Sequence, residues 1–284
     1  MRFRRARTLD EALDLLAELG DEAQILAGGT DVMIQYLDGQ IAPGTLVHIE
    51  GVEELAMASV NHRTTLGPLT THRTLATDDA FATAHPALAA SAGTVGGWQT
   101  QAVGTIGGNI CNASPAADTA PPLLVADTEV TLTSRRGERR VPLTDFFLER
   151  RRTALEPDEL LTAIDLDPLP TGAGEVYLKI GRRGAMEVAL VGLAVRLGFA
   201  GDGTVASAGI ALCSIAPTPR RMPDAEAALI GSRLESGALD AAAEALRAAA
   251  SPIDDARASA AYRIRILRGL LERAALQCRE AATR

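Results

Sequence analysis

The stretch GTIGGNICNASPAAD, from Gly104 to Asp118, puts three glycines, two asparagines, a cysteine and an aspartate side by side. It lacks the lysine of a P-loop and the spacing of a dinucleotide fingerprint. Three chemistries fit these residue types: a thiol nucleophile at Cys111, a metal site, or a backbone cradle for phosphate. Cys111 has no histidine beside it and reads as a small buried residue. Thr105 and Asn109 can add side-chain donors to a cradle. Asp118 is acceptor-only, so it suits a ribose hydroxyl or an adenine amino group; it suits equally an N-cap before TAPPLL.

A second glycine pair, AGGTD (Ala27 to Asp31), leaves a short apolar run, Gln24 to Ala27, and enters a helical pattern, Asp31 to Leu37. Consecutive glycines let successive N–H groups face one concavity, and a helix start adds positive potential. The same residues also describe a tight turn needing positive φ. Two other glycine clusters read more simply. GDGTVA (Gly201 to Ala206) precedes a β-rich run and reads as a hairpin around Asp202-Gly203. GTVGGW (Gly93 to Trp98) closes an Ala-rich helix. Trp98, the one tryptophan, reads as core or as packing beside a planar ligand.

The elements that would position these groups are legible in part. Thr8-Leu-Asp-Glu11 is a capping box, followed by Leu9, Ala12, Leu13, Leu16 and Leu19 at helical spacing and by a stop at Gly20. A strand over Thr45 to Glu50 completes a strand–turn–helix–strand unit. EVTLTSRRGERRVPL predicts a hairpin around Gly137, whose arginines read as solvated. A Pro/Gly stretch, Pro168 to Gly174, predicts a domain boundary. Beyond it come strands, then helices, the last from about Asp254 with Ile264, Leu267, Leu271, Ala274 and Cys278 on one face and arginines outside.

Composition narrows the function classes. The chain has 284 residues, 47% hydrophobic and 23% charged, with a formal net charge of -8. That is enough length for two domains, and the negative charge disfavours nucleic-acid binding. No run predicts a membrane span or an export signal. Three well-separated cysteines without a C-x-x-C pair exclude an internal zinc or iron–sulfur motif and fit a reducing cytoplasm. His62 and His72 lie near turn signals and read as surface residues. No nucleophile triad is readable, so the expectation is a cofactor holder without catalytic or metal-ligating residues of its own.

ILAGGTDVM, GTIGGNICNASPAADTAPPLL, RRGERRVPLTDFF, VYLKIGRR and IALCSIAPTPRRMPDAEAALIG resemble, in order, the FAD-binding medium subunit of the molybdenum hydroxylases, the family of xanthine and carbon monoxide dehydrogenases. The resemblance implies an α+β fold. Residues 1–171 would form a two-subdomain FAD-binding fold of the vanillyl-alcohol oxidase type, with subdomains of about 1–54 and 55–171. Residues 172–284 would form a small antiparallel sheet with a helical bundle. It implies FAD on this chain, with Ile25, Leu26, Ala27, Gly28, Gly29, Thr30, Asp31 and Val32 as the first loop. Thr105, Ile106, Gly107, Gly108 and Asn109 would be the second loop, and Asp118, Leu161 and Lys179 further contacts. It implies as partners a large molybdopterin subunit, a small [2Fe-2S] subunit and an external electron acceptor. One departure stands out. The family's Ile-Arg-Asn before the second loop is here Thr100-Gln101-Ala102, which removes a positive charge expected near the cofactor. A stand-alone FAD oxidoreductase and a non-catalytic assembly subunit are the alternative readings.

Overall fold

Thr8 opens the first helix by the reciprocal contacts its sequence predicts. Its hydroxyl accepts the Glu11 N–H at 3.2 Å, and the Glu11 carboxylate accepts the Arg7 N–H at 2.8 Å. In the computed structural model, which describes residues 1–60 and 63–283, this box starts α1 (Leu9–Leu19), and Gly20 at φ 50 ends it. Ala12, Leu13, Leu15 and Leu16 bury the inner face of α1. That face covers a parallel three-stranded sheet of β1 (Arg2–Arg5), β2 (Ala23–Leu26) and β3 (Thr45–His48), in the order β1-β3-β2. The short α2 (Val32–Leu37) connects β2 to β3. Strand β1 is an addition to the sequence reading. All four of its residues are exposed, so no alternation marks it.

The second layer is an antiparallel sheet in the order β4-β5-β10-β6-β7. Strands β4 (Ala58–Val60) and β5 (Thr64–Leu66) lead into helices α3 (His72–Thr77), α4 (Asp79–Ala84), α5 (Pro86–Ala92), α6 (Trp98–Val103), α7 (Ile106–Cys111) and α8 (Ala120–Val125). The chain returns through the hairpin β6 (Glu129–Ser134) and β7 (Gly137–Pro142), which turns at Gly137 with φ 128. It then runs through α9 (Leu143–Phe146), the ribbon β8 (Phe147–Glu149) and β9 (Arg152–Thr153), and β10 (Leu160–Leu166). Leu88, Ile106, Ile110, Leu123, Leu132, Phe146 and Ile164 fill the core between helices and sheet.

The third layer is a four-stranded antiparallel sheet: β11 (Ala173–Ile180), β12 (Val191–Phe199), β13 (Val205–Cys213) and β14 (Arg220–Arg221). The β12–β13 hairpin turns at Asp202-Gly203, with Gly203 at φ 82. One face of the sheet is covered by α10 (Pro223–Leu229), α11 (Ser236–Ala249) and α13 (Leu267–Ala282), and α12 (Ala260–Arg265) precedes α13.

The hairpin arginines are exposed, as expected, and in addition they pair with carboxylates across the surface. Arg135 reaches Asp10 at 2.6 Å and Asp14 at 2.7 Å on α1, Arg136 reaches Glu156 and Asp158, and Arg139 reaches Glu159. Several expectations need correction. The predicted final helix is two helices broken at Ile266 and starting only at Ala260. Arg263 is not outside. It is 3% exposed and donates to the carbonyls of Leu190 and Ser214, because α12 lies against strand ends that need donors. His72 is buried, and the loss of hydration lowers its pKa to about 4, so its ring is neutral at pH 7. Trp98 is not core: it is 71% exposed, with the Arg73 guanidinium 4.3 Å from its ring centroid. His62 lies outside the described residues.

The third layer is fastened to the second by a buried pair. Glu175 on β11 and Arg196 on β12 form an ion pair, Glu175 accepts the Ala87 N–H of α5 at 3.1 Å, and Arg196 donates to the Asp167 carbonyl at 3.1 Å. Removing one member of a buried pair strands the other charge. Arg196→Met is therefore expected to cost about 3–5 kcal/mol in urea unfolding, and Glu175→Gln added to it should restore part of that loss.

Candidate functional site

The first glycine loop leaves β2 at Leu26 and turns through Gly29 at φ 72 into α2. Gly28 has no room for a side chain. A Cβ there would lie 1.7 Å from the Val103 carbonyl oxygen and 3.1 Å from the Gly104 nitrogen. A Cβ on Gly104 would in turn lie 3.4 Å from the Thr30 hydroxyl. The first loop therefore sits directly on the peptide that enters the second. The N–H groups of Gly28, Gly29 and Thr30 donate to no protein acceptor among the described residues, and regular helical bonding starts with Met33 N–H to the Gly29 carbonyl at 3.0 Å. Because α2 has six residues, its macrodipole is small, and the loop amides themselves are the donors on offer.

The second loop differs from a glycine turn. Thr105 is the N-cap of α7 and accepts the Gly108 N–H at 3.0 Å, so Gly107 and Gly108 lie inside a short helix. The Ile106 N–H donates to Thr70, the Gly107 N–H to Pro68 and the Asn109 N–H to Thr105. These four amides are already used, whereas the Thr105 N–H donates to no protein acceptor among the described residues, so the backbone offer of this loop narrows to one amide. Gly107 is required for a packing reason: a Cβ would meet Pro68 at 2.4 Å. What this loop can still offer a ligand is the Thr105 N–H, the Thr105 hydroxyl hydrogen and the Asn109 side-chain N–H group, since the Asn109 side-chain oxygen accepts from the Thr119 hydroxyl at 2.7 Å.

Asp118 is 7% exposed and does not cap a helix; Thr119 occupies that place at α8. Lys179 donates to one Asp118 oxygen at 2.7 Å and to the Thr94 carbonyl at 3.0 Å, and the Tyr177 hydroxyl donates to the other oxygen at 2.5 Å. Burial pushes the Asp118 carboxyl up, and Lys179 and Tyr177 oppose that shift. Ile25 and Leu26 are half-buried on β2 and Ala27 packs beside them, whereas Leu161 on β10 is fully buried with Ile106 and Ile110. Burial also raises the Asp31 carboxyl, opposed by Arg151 and Asn112. The Cys111 thiol is pushed up to about 12 by burial, which suits an inert residue.

The structure thus brings Gly28 to Thr30 against Val103 to Thr105, and Asp118 to Lys179. It adds residues that sequence reasoning missed. Asn112 accepts from Gln35 of α2 at 3.0 Å and from Arg151 at the β8–β9 tip, tying both loops to that ribbon. Tyr177 lies two positions before Lys179 on β11, on the same strand face; that alternation is the signal that could have found it. Gln101, in the family's arginine position, is buried and donates to the Gly93 carbonyl at 2.9 Å. The residue at the departure therefore completes the end of α5.

Comparisons with known proteins find relatives over nearly the whole chain. A family described as the FAD binding domain in molybdopterin dehydrogenase matches residues 1–169, and the CO dehydrogenase flavoprotein C-terminal domain matches residues 176–278. The xanthine dehydrogenase FAD-binding subunit of Escherichia coli O157:H7 is 32% identical, over 95% of this chain and 93% of that one. The carbon monoxide dehydrogenase medium chain of Afipia carboxidovorans is 31% identical, over 96% and 94%. Among solved structures, a chain of the cyanide-inactivated Cu,Mo-CO dehydrogenase superposes with a TM-score of 0.95 at 30% identity, covering 99% of this chain and 98% of that one.

Gly28→Ala should drive the two loops apart. The expected result is at least a roughly tenfold weaker FAD affinity, read by flavin fluorescence titration, together with a lower melting temperature.

Proposed function

This chain belongs to the FAD-binding medium subunits of the molybdenum hydroxylases, and from that membership we propose that it carries electrons from [2Fe-2S] clusters of a small partner subunit to an external acceptor. The substrate is oxidised in a large molybdopterin subunit, and the assembly works in the cytoplasm. FAD, when bound, supplies the redox chemistry. The residues of this chain hold and orient it.

The observation that carries this reading is the pairing of free and used donors at the loop contact. Gly28, Gly29 and Thr30 hold three unspent N–H groups where Gly28 lies on the Val103–Gly104 peptide. They fit a pyrophosphate, and the Thr105 hydroxyl and Asn109 amide fit the remaining oxygens. Asp118 fits a hydroxyl or amino donor of the cofactor. Lys179 brings a cation to the same place, and Leu161 backs the second loop from the core. Among the described residues no group of three or more His, Cys, Asp or Glu is placed to hold a metal, and no helix is long and apolar enough to cross a membrane. The clusters and the molybdenum site are assigned to partners on the family membership.

Purification together with the products of neighbouring genes tests the assignment. We expect about one FAD per chain, with flavin bleaching by substrate only when the iron- and molybdenum-containing partners are present. A chain that is reduced by an organic substrate on its own, free of iron and molybdenum, would contradict it.

A further inference from the structure

We propose that Tyr177 is a positioning residue for the cofactor, acting through Asp118; this rests on the reading of Asp118 as an FAD contact. Tyr177 is buried, and its ring packs in the core beneath the helical layer. Its hydroxyl gives its single proton to one Asp118 oxygen at 2.5 Å, while Lys179 takes the other at 2.7 Å. Each carboxylate oxygen therefore has one fixed donor, which sets the rotation of the group and leaves its remaining lone pairs in one direction. Lys179 spends a second N–H on the Thr94 carbonyl, so one of its three is left over.

The surroundings are built for that hydroxyl. Gly192 on β12 leaves it space, since a methyl group there would stand 2.5 Å from both the Tyr177 oxygen and the Cys213 sulfur. A buried Lys–Asp–Tyr network is a poor device for stability, because apolar side chains of similar volume serve as well or better. It also crosses between layers. Asp118 belongs to the helical layer of the FAD-binding part, whereas Tyr177 and Lys179 belong to β11 of the C-terminal sheet. The C-terminal sheet thus fixes a group that the FAD-binding part presents.

Three titratable groups lie around Asp118: Lys179 and Tyr177 on β11, and Cys213 on β13 behind the Tyr177 hydroxyl. Burial raises the carboxyl of Asp118 and the two donors restrain it. Loss of one donor makes it protonate at higher pH. FAD binding that needs the carboxylate is lost as pH falls through the folded-state pKa, so the acid limb of binding moves upward.

The test uses the full chain stripped of flavin and titrated with FAD, in wild type, Tyr177→Phe, Asp118→Asn and the double variant. Tyr177→Phe keeps the ring and is expected to weaken FAD about tenfold and to move the acid limb of affinity to higher pH, on top of the modest fall in the melting temperature of the flavin-free chain that an unpaired Asp118 oxygen causes. In the Asp118→Asn background the same change should have no further effect on affinity. Asp118→Asn alone with wild-type affinity would remove the reading on which the proposal rests, and the proposal with it. A weakened Asp118→Asn combined with a Tyr177→Phe of normal affinity and normal acid limb would overturn the proposal and leave that reading intact. Equal losses from Tyr177→Phe in both backgrounds would mark Tyr177 as a packing residue only, and would also overturn it.

Discussion

The Val103 carbonyl oxygen lies against the bare Cα of Gly28, and most of the site depends on that contact. A peptide can approach this closely only where no Cβ intervenes. The approach brings the loop between β2 and α2, from the first layer, against the turn between α6 and α7, from the second. Beside it, the N–H groups of Gly28 to Thr30 have no protein acceptors among the described residues. An unsatisfied donor at such a place is costly unless a ligand or water takes it. The same feature that makes the loop demanding to fold suits it to a phosphate.

The two glycine motifs divide the work unequally. The first leaves its backbone amides without protein acceptors among the described residues. The second spends the amides of Ile106 to Asn109 on Thr70, Pro68 and its own Thr105, and keeps the Thr105 N–H and side-chain donors. Its glycines are there for close packing on Pro68 and for a short helix, so similar sequences serve different physical ends. Electrostatics follow a similar division. Asp118 projects from the FAD-binding part, but its charge is set by Lys179 and Tyr177 from the C-terminal sheet, and the buried Glu175–Arg196 pair keeps that sheet in place.

Local signals were legible where local physics decides. The Thr8 box, the Gly137 and Asp202-Gly203 hairpins and the AGGTD turn are all fixed by residues within a few positions of one another. The resemblance of the motifs to the molybdenum hydroxylase flavin subunits added the family, and the α+β architecture followed. What stayed hidden was long-range. The partners that use up the Ile106 and Gly107 amides lie at Thr70 and Pro68, and nothing in GTIGGNI announces them. His72 looked exposed beside a turn, yet its N–H bonds the Gly104 carbonyl and its ring is enclosed. Arg263 carried a surface residue's charge into a site where two strand carbonyls needed a donor. The exposed β1 offered no alternation to read.

The central claim is that the first loop offers free amides while Ile106 to Asn109 of the second do not, and amide hydrogen exchange measures this directly. Without FAD, Gly28, Gly29 and Thr30 should exchange quickly and Ile106 to Asn109 slowly. With FAD, protection should rise at Gly28 to Thr30 and change little at Ile106 to Asn109. Protection that is unchanged at Gly28 to Thr30, or that appears on FAD addition mainly at Ile106 to Asn109, would contradict the account.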